Sequence, residues 1–262
     1  MEDSVRMESR IEGGNRSVYE LLLTPVQCSR KVSCIHMAED DEGRRVICSG
    51  QRYRGAADED MSDFSVGFYN IIYRDLIKGS LLNRDGSLSD PEFAGDTMNS
   101  FNTMANRFPE AGKNRRSRTS ESGWPEALKT YYRSYHCLAN FWLLPFETGR
   151  SIKGEYNKAK KSRDYMDRFL EMLRNENALS RSDRPYFRAF SGWEDFMNRH
   201  FLKESYADSE GRIKRYSDSD CCFFIQEAEN RMKSRAKAIA ESKYAGQLQD
   251  YFADLRLIAA EA

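Results

Sequence analysis

Long apolar runs are missing from this chain of 262 residues. No run approaches the roughly 18 consecutive apolar residues that a membrane-spanning helix needs. The first four residues, Met1–Ser4, carry two acidic side chains, whereas a secretory signal opens on positive charge before an apolar core. The sequence therefore predicts a cytoplasmic protein with no membrane contact.

A net charge is lacking as well, because 41 lysines and arginines balance 41 aspartates and glutamates. Without a field from the whole molecule, attraction of a polyanion would have to come from a local patch. Hydrophobic residues make up 40% of the chain, which is enough to bury a substantial core. We expect one large domain.

Motifs for metal, redox and common catalytic chemistry are scarce. The chain has only three histidines, His36, His136 and His200, so a site with several histidine ligands would need residues from distant segments. None of the six cysteines has the C-x-x-C spacing of zinc and redox centres, and the adjacent pair Cys221-Cys222 is predicted to be buried and reduced. Walker loops, dinucleotide-binding glycine motifs and nucleophile elbows are also absent. The sequence assigns no set of metal ligands.

Helical periodicity is what the sequence does contain. Phe64, Phe68, Ile72 and Leu76 mark one helix face behind a cap at Asp63. Similar spacing predicts helices within residues 98–108, 125–138, 166–173, 193–201, 223–244 and 248–258. Three short N-terminal segments, 18–23, 32–35 and 45–48, are partly β-branched and are predicted as strands.

These patterns predict a mainly α fold within the α+β class. The expected architecture is an irregular single-domain helical bundle with a small N-terminal β-containing annex. Residues 1–16 are predicted to be a flexible lead, residues 17–62 a small β-containing segment, and residues 63–262 a helical domain.

Four polar residues inside apolar segments are candidates for a site. Asp96 and Asn99 lie three apart and are expected to share the first turn of a helix, although Asp96 is also a good helix cap. Asn99 is a poor helix former, which suggests a specific contact. His136 and Asn140 lie four apart and would face the same way if the helix from Pro125 continued through them.

Positive charge follows His136 in sequence. Arg150, Asn157, Lys158 and Lys161 are predicted to bind a ligand, with the cations suited to phosphate groups. The alternative is a core histidine beside a solvated basic helix face, and the sequence leaves both interpretations open.

Three motifs carry a resemblance to a family of uncharacterised bacterial proteins of unknown function. They are FAGDTMNSF at 93–101, YHCLANFWLLP at 135–145 and NKAKK at 157–161, and the resemblance spans roughly residues 63–202. It implies no particular activity.

The stretch Ala139–Leu144, followed by Asn157 and Lys161, is also similar to the second half of the HNH nuclease motif. In those enzymes an upstream acidic residue paired with a histidine holds a metal and activates water. Here the only upstream histidine is His36, far away in sequence. The similarity implies nuclease chemistry that is altered or lost.

Three hypotheses follow. The first is a binding protein with a polar pocket formed by Asp96, Asn99, His136, Asn140, Arg150 and Asn157. The second is a phosphodiesterase or nuclease in which Asp96, with Asn140 or Asn157, holds a divalent metal such as Mg²⁺ and His136 is the general base. Its partner would be nucleic acid or another phosphate-containing ligand.

The third hypothesis is an interaction protein that uses the helix at 227–243. Arg231, Lys233, Arg235 and Lys237 supply positive charge there, but neighbouring glutamates dilute it. The sequence therefore favours an ordinary solvated helix.

Overall fold

The computed structural model describes residues 17–51, 59–76, 93–111, 120–147, 150–151, 165–175, 190–217 and 220–255. The predicted lead at 1–16 lies outside them. The helices are α1 Val18–Leu23, α2 Asp63–Ile72, α3 Phe101–Ala105, α4 Glu126–Ser134, α5 Met166–Asn175, α6 Trp193–Arg199, α7 Lys203–Tyr206, α8 Cys221–Ala240 and α9 Ala245–Ala253. The strands are β1 Val26–Cys28, β2 His36–Glu39, β3 Arg45–Ser49, β4 Phe93–Thr97, β5 Phe141–Glu147 and β6 Arg150–Ser151. The fold is mixed α and β, with helix predominating.

The strands form two small sheets. In the first, of order β1-β3-β2, β1 runs parallel to β3 and β2 runs antiparallel to it. The second, of order β4-β5-β6, is antiparallel, with Asp96 opposite Trp142 and Thr97 opposite Phe141. Because neighbouring residues of a strand point to opposite faces, Asp96 and Thr97 present their side chains to different sides of this sheet.

The N-terminal predictions are corrected in two places. Residues 18–23 form helix α1 rather than a strand, because Ser17 and Glu20 make a reciprocal capping box and the helix buries one face. The predicted strand at 45–48 is confirmed as β3, whereas the strand predicted at 32–35 is wrong because β2 begins at His36. The first sheet lies within the expected β-containing segment, but the second does not.

The helical predictions hold better. Helix α2 follows the predicted face, although its cap is Ser62, whose hydroxyl accepts from the backbone N–H of Ser65.

The cysteine pair is less buried than expected, since Cys221 is half-buried and Cys222 exposed. Among the described residues, no helix has both the length and the apolar character needed to cross a membrane.

Helix α8 packs against α1, α3, α4 and α7. The prediction of a solvated basic face fails for two of its arginines, because Arg231 is 7% exposed and Arg235 is fully buried. Lys237 does lie at the surface. The burial follows from position, because Arg231 and Arg235 share a helix face with the buried Phe224 and Ala228.

Arg235 is bonded to several parts of the chain at once. It donates to the backbone oxygens of Leu138, Ala139, Phe141 and His200 and to the phenol oxygen of Tyr73, over 2.8–3.4 Å. A buried charge is tolerable only where such bonds replace water. The guanidinium therefore connects α8 to α2, to the end of α6 and to the beginning of β5.

Candidate functional site

The imidazole of His136 is oriented by a carboxylate. Nδ1 of His136 lies 3.1 Å from Oε2 of Glu59, and both side chains are about one quarter exposed. The backbone is also fixed, because the N–H of Val26 donates to the carbonyl of His136 at 2.7 Å. A carboxylate at Nδ1 favours the proton on that nitrogen and leaves Nε2 as an acceptor.

Glu59 is ionised at neutral pH in this arrangement. Burial raises its pKa, but the hydrogen bond from His136, together with those from backbone N–H groups, outweighs that effect and lowers it. Glu59 opens the 3₁₀ turn Glu59–Met61 directly before α2. No spacing or motif linked Glu59 to His136 in the sequence, and Glu59 was not among the predicted site residues.

A continuous set of rings adjoins His136, and we call it the aromatic surface: Phe101, Trp124, Tyr132, Tyr135 and His136. The ring of Phe101 lies 4.9 Å from Trp124 and 4.8 Å from Tyr132. Tyr132 stacks on Tyr135 at 6.3 Å, and Tyr135 lies 3.8 Å from His136. Phe101 is buried beneath, while 44% of Tyr132 is exposed.

Helix spacing creates this surface. Tyr132 lies in the last turn of α4 and Tyr135 is its C-cap, so the two fall on one side of the helix end. His136 follows the cap, and its ring contacts that of Tyr135. That spacing was visible in the sequence and could have indicated an exposed aromatic stripe.

The charged side chains described beside the aromatic surface are paired. Arg133 lies 2.6 Å from Glu121 and 3.0 Å from Glu42. Lys129 lies 3.5 Å from Glu126. Exposed ion pairs of this kind contribute little to stability. The exposed rings are therefore the more distinctive feature of the aromatic surface.

Asn140 is bonded to backbone groups and to Asn99 in the interior. Its Oδ1 accepts from the backbone N–H and from Nδ2 of Asn99 at 3.0 and 3.1 Å. Its Nδ2 donates to the carbonyls of Asn99 and Tyr135 at 3.1 and 2.8 Å. These bonds occupy both donors and the acceptor of the amide, so Asn140 supports the backbone at Tyr135.

Asn99 is held by three buried tyrosines in addition. Tyr216 donates to its Oδ1 at 2.6 Å, and Tyr131 donates to its carbonyl at 2.6 Å. Its Nδ2 donates to the phenol oxygen of Tyr206 at 3.0 Å. The specific contact expected for Asn99 is thus with side chains of the same chain.

The helix-face prediction for Asp96 and Asn99 is wrong, and the condition for His136 and Asn140, a helix continuing from Pro125, is not met. Helix α3 begins at Phe101 behind a Ser100 cap, so Asp96 lies in β4 and Asn99 precedes the cap. Helix α4 ends at Ser134, and Asn140 lies in the 3₁₀ turn Leu138–Asn140.

The structure brings His136 together with Glu59 rather than with Asp96. The side chain of Thr97 bonds Asp60 at 3.1 Å and faces the same side of the sheet as Phe141, whose ring lies 5.8 Å from His136. Alternation along β4 sends Asp96 to the other side, where its Oδ1 accepts from the N–H of Thr97.

The remaining predicted site residues are only partly placed. Arg150 begins β6, opposite Glu147. Asn157, Lys158 and Lys161 lie outside the described residues. Within the described ranges, no group of three or more histidine, cysteine, aspartate or glutamate residues could hold a metal ion.

No family model, curated protein or solved structure matches the chain. The resemblances to a bacterial family and to HNH nucleases therefore stay predictions.

Proposed function

We propose that the chain is a cytoplasmic binding protein that holds a nucleobase-bearing ligand on the aromatic surface. The continuity of partly exposed rings from Trp124 through Tyr132 and Tyr135 to His136 carries this proposal. Stacking of a base on an aromatic side chain is worth about 1–3 kcal/mol. A planar ligand can stack on such a surface over more of its area than a flexible ligand can.

His136 supplies a directional polar contact in this proposal. Glu59 holds the ring at Nδ1, so Nε2 would accept a hydrogen bond from an amino or ring N–H group of the base. Asn140 and Asn99 act as positioning residues, because their bonds fix the carbonyl of Tyr135 directly before His136. Phosphate groups of the ligand would be bound by Arg150, Lys158 and Lys161.

Fluorescence polarisation with labelled single-stranded DNA and RNA oligonucleotides tests whether the aromatic surface binds nucleobases. Unlabelled nucleosides and nucleotides serve as competitors. We expect Tyr132→Ala to weaken binding roughly tenfold, as loss of one stacking partner implies. Phe223→Ala is the matched control, because Phe223 is 48% exposed but lies on α8. Absence of binding, or equal weakening by both substitutions, would contradict the proposal.

Competition also separates the base from the phosphate. A nucleoside that competes as well as its nucleotide would assign recognition to the rings. A nucleotide that competes far better would assign a share to the predicted cations, and this share should fall as salt is raised.

A metal-assisted phosphodiesterase is the second candidate, and the pairing of Glu59 with Nδ1 of His136 favours it. That pairing orients Nε2 to take a proton from a water molecule attacking phosphorus. Incubation of DNA and RNA with Mg²⁺, Mn²⁺ or EDTA is the test. Metal-dependent cleavage should vanish in His136→Ala and fall in Glu59→Gln, whereas an uncleaved substrate under every condition would exclude this candidate.

The expected domain organisation is also a proposal. We propose a single-domain helical bundle over residues 63–262 with residues 17–62 as its β-containing annex. Contacts of α1 with α8 and α9 support a single domain. The strands β4–β6 interrupt the helices within the larger range.

A further inference from the structure

A pocket of about 290 Å³ lies away from the aromatic surface, where α2, α6 and α8 end, and we call it the helix-end pocket. Ile72, Leu76, Phe201 and Tyr244 contribute its apolar lining. The volume is near the lower end of ligand sites, so the pocket suits a small metabolite. The carbonyl ends of α2 and α8 favour positive charge nearby.

Charges of both signs line the same pocket. Oδ2 of Asp75 accepts from Nζ of Lys243 at 2.8 Å and from the hydroxyl of Tyr244 at 3.0 Å. Oδ1 of Asp195 accepts from Nε of Arg199 at 3.0 Å. A guanidinium has five N–H donors and an ammonium three, so these pairs retain capacity for a further charged group.

Both carboxylates are ionised near neutral pH. Hydrogen bonds from Lys243 and Tyr244 lower the pKa of Asp75. Burial raises the pKa of Asp195, but bonds from the Ser191 backbone and from Arg199 outweigh it, so that pKa is lowered too.

Phe201 is held in a backbone conformation that normally favours glycine. Its φ is 58°, and it occupies the C′ position of a Schellman motif. Leu202 N–H donates to the carbonyl of Met197 at 2.8 Å, and Phe201 N–H donates to that of Asn198 at 3.0 Å. Phe201 also lines the pocket. A strained backbone angle at a non-glycine residue beside a pocket is typical of functional sites.

We infer that the helix-end pocket binds the zwitterion of an α-amino acid with an apolar side chain. The carboxylate would lie between Arg199 and Lys243, the ammonium would join Asp75 and Asp195, and the apolar side chain would pack on the ring of Phe201. The paired charges and the ring each have a counterpart in this ligand. The inference is independent of the nucleobase site.

Isothermal titration calorimetry of the full chain with L-phenylalanine tests the ligand class. Two probes lacking one charge each, 2-phenylethylamine and 3-phenylpropionate, should bind at least about tenfold more weakly, as loss of one charge-assisted contact implies. No heat of binding with L-phenylalanine, or equal affinity for all three compounds, would overturn the inference.

Substitutions test the assigned contacts. Phe201→Gly relieves the backbone conformation while removing the ring, so the fold should persist while affinity falls about tenfold or more. Arg199→Gln should weaken binding of L-phenylalanine and 3-phenylpropionate but not of 2-phenylethylamine. Asp75→Asn should weaken binding of 2-phenylethylamine and leave binding of 3-phenylpropionate unchanged.

Lys237→Gln is the control for these variants, because Lys237 is exposed on α8 and does not line the pocket. Its melting temperature and affinity should match those of the unmodified chain. Unchanged affinity in Phe201→Gly, or equal losses in Lys237→Gln, would overturn the assignment.

Discussion

At the scale of single residues, Asn99 and Asn140 show how buried amides replace backbone pairing. Each is almost fully buried, and together they satisfy N–H and carbonyl groups where β4 leads into α3 and where α4 leads into β5. A buried backbone group without a partner costs about 1–3 kcal/mol. Their amides therefore stabilise two irregular turns that apolar side chains could not.

Replacing Asn140 with alanine should lower the free energy of unfolding by about 2–4 kcal/mol. The change leaves the N–H of Asn99 and the carbonyl of Tyr135 without their partner in the interior, while the carbonyl of Asn99 keeps only its bond from Tyr131. Urea denaturation measures the loss. Asn198→Ala, at an exposed position, is the control, and equal midpoints for the two variants would contradict this account.

His200 makes stability depend on pH. It is fully buried, and its Nδ1 lies 2.9 Å from the phenol oxygen of Tyr73, which in turn accepts from Arg235. Burial and the charge of Arg235 hold the pKa of His200 well below its usual value. The folded protein therefore keeps this imidazole neutral.

A depressed pKa in the folded state means that stability is complete above the unfolded pKa, about 6.5, and is lost as pH falls below it. We expect the free energy of unfolding to fall between about pH 6.5 and 5, by at most about 1.4 kcal/mol per pH unit. Urea denaturation across this range measures the slope. His200→Asn keeps an acceptor for Tyr73 without a titrating group, so its slope should be flatter, and an equally steep slope would refute the assignment.

At the scale of secondary-structure elements, the sequence predicted long helices better than short segments. In α2 the apolar spacing extends over enough turns to exclude a strand. Helix α1 has only six residues, and its β-branched and leucine-rich composition fits either structure. The capping box of Ser17 and Glu20 decided the outcome.

The site was predictable only in part, for a similar reason. His136 was indicated by its place in an apolar segment, but its partner Glu59 is distant in sequence and meets it only through tertiary packing. Asp96 was predicted to share the first turn of a helix with Asn99, whereas pairing with β5 placed it in a strand.

The close approach of β4 to the turn carrying Glu59 depends on Gly95. A Cβ at Gly95 would clash with the backbone oxygen of Asp60 and would lie 2.9 Å from Sδ of Met61. Gly95→Ala should therefore push the two elements apart and lower the free energy of unfolding by about 1–3 kcal/mol. Thermal and urea denaturation measure it.

Gly246→Ala is the opposite case and serves as the control. A Cβ at Gly246 meets nothing within 4 Å, and the residue lies within helix α9. Alanine should stabilise the protein by up to about 1 kcal/mol there. Stabilisation by both substitutions would show that β4 has room to move.

At the scale of the whole molecule, the buried face of α8 carries arginine in place of apolar side chains at two positions. Arg231 lies over the ring of Tyr216 at 3.9 Å and donates to the carbonyl of Lys214. Arg235 reaches three other elements. Backbone carbonyls at the ends of other elements thereby accept hydrogen bonds from side chains of a single helix.

Arg235→Met should consequently destabilise the whole fold rather than one helix. Methionine fills much of the space but leaves the carbonyls of Ala139, Phe141 and His200 without their donor, so we expect a loss of about 3–5 kcal/mol. Lys237→Met, an exposed substitution on the same helix, should change stability by less than about 0.5 kcal/mol. Circular dichroism and tryptophan fluorescence, followed through the same urea titration, measure both variants.

The two probes also distinguish a global connection from a local one. If Arg235 connects the elements, both transitions should shift together to lower urea concentration, because helices and the buried Trp142 beside His200 unfold as one unit. If only the fluorescence transition moved, the guanidinium would stabilise its immediate surroundings alone, and helix α8 would owe its position to apolar packing by Phe224, Ala228 and Met232.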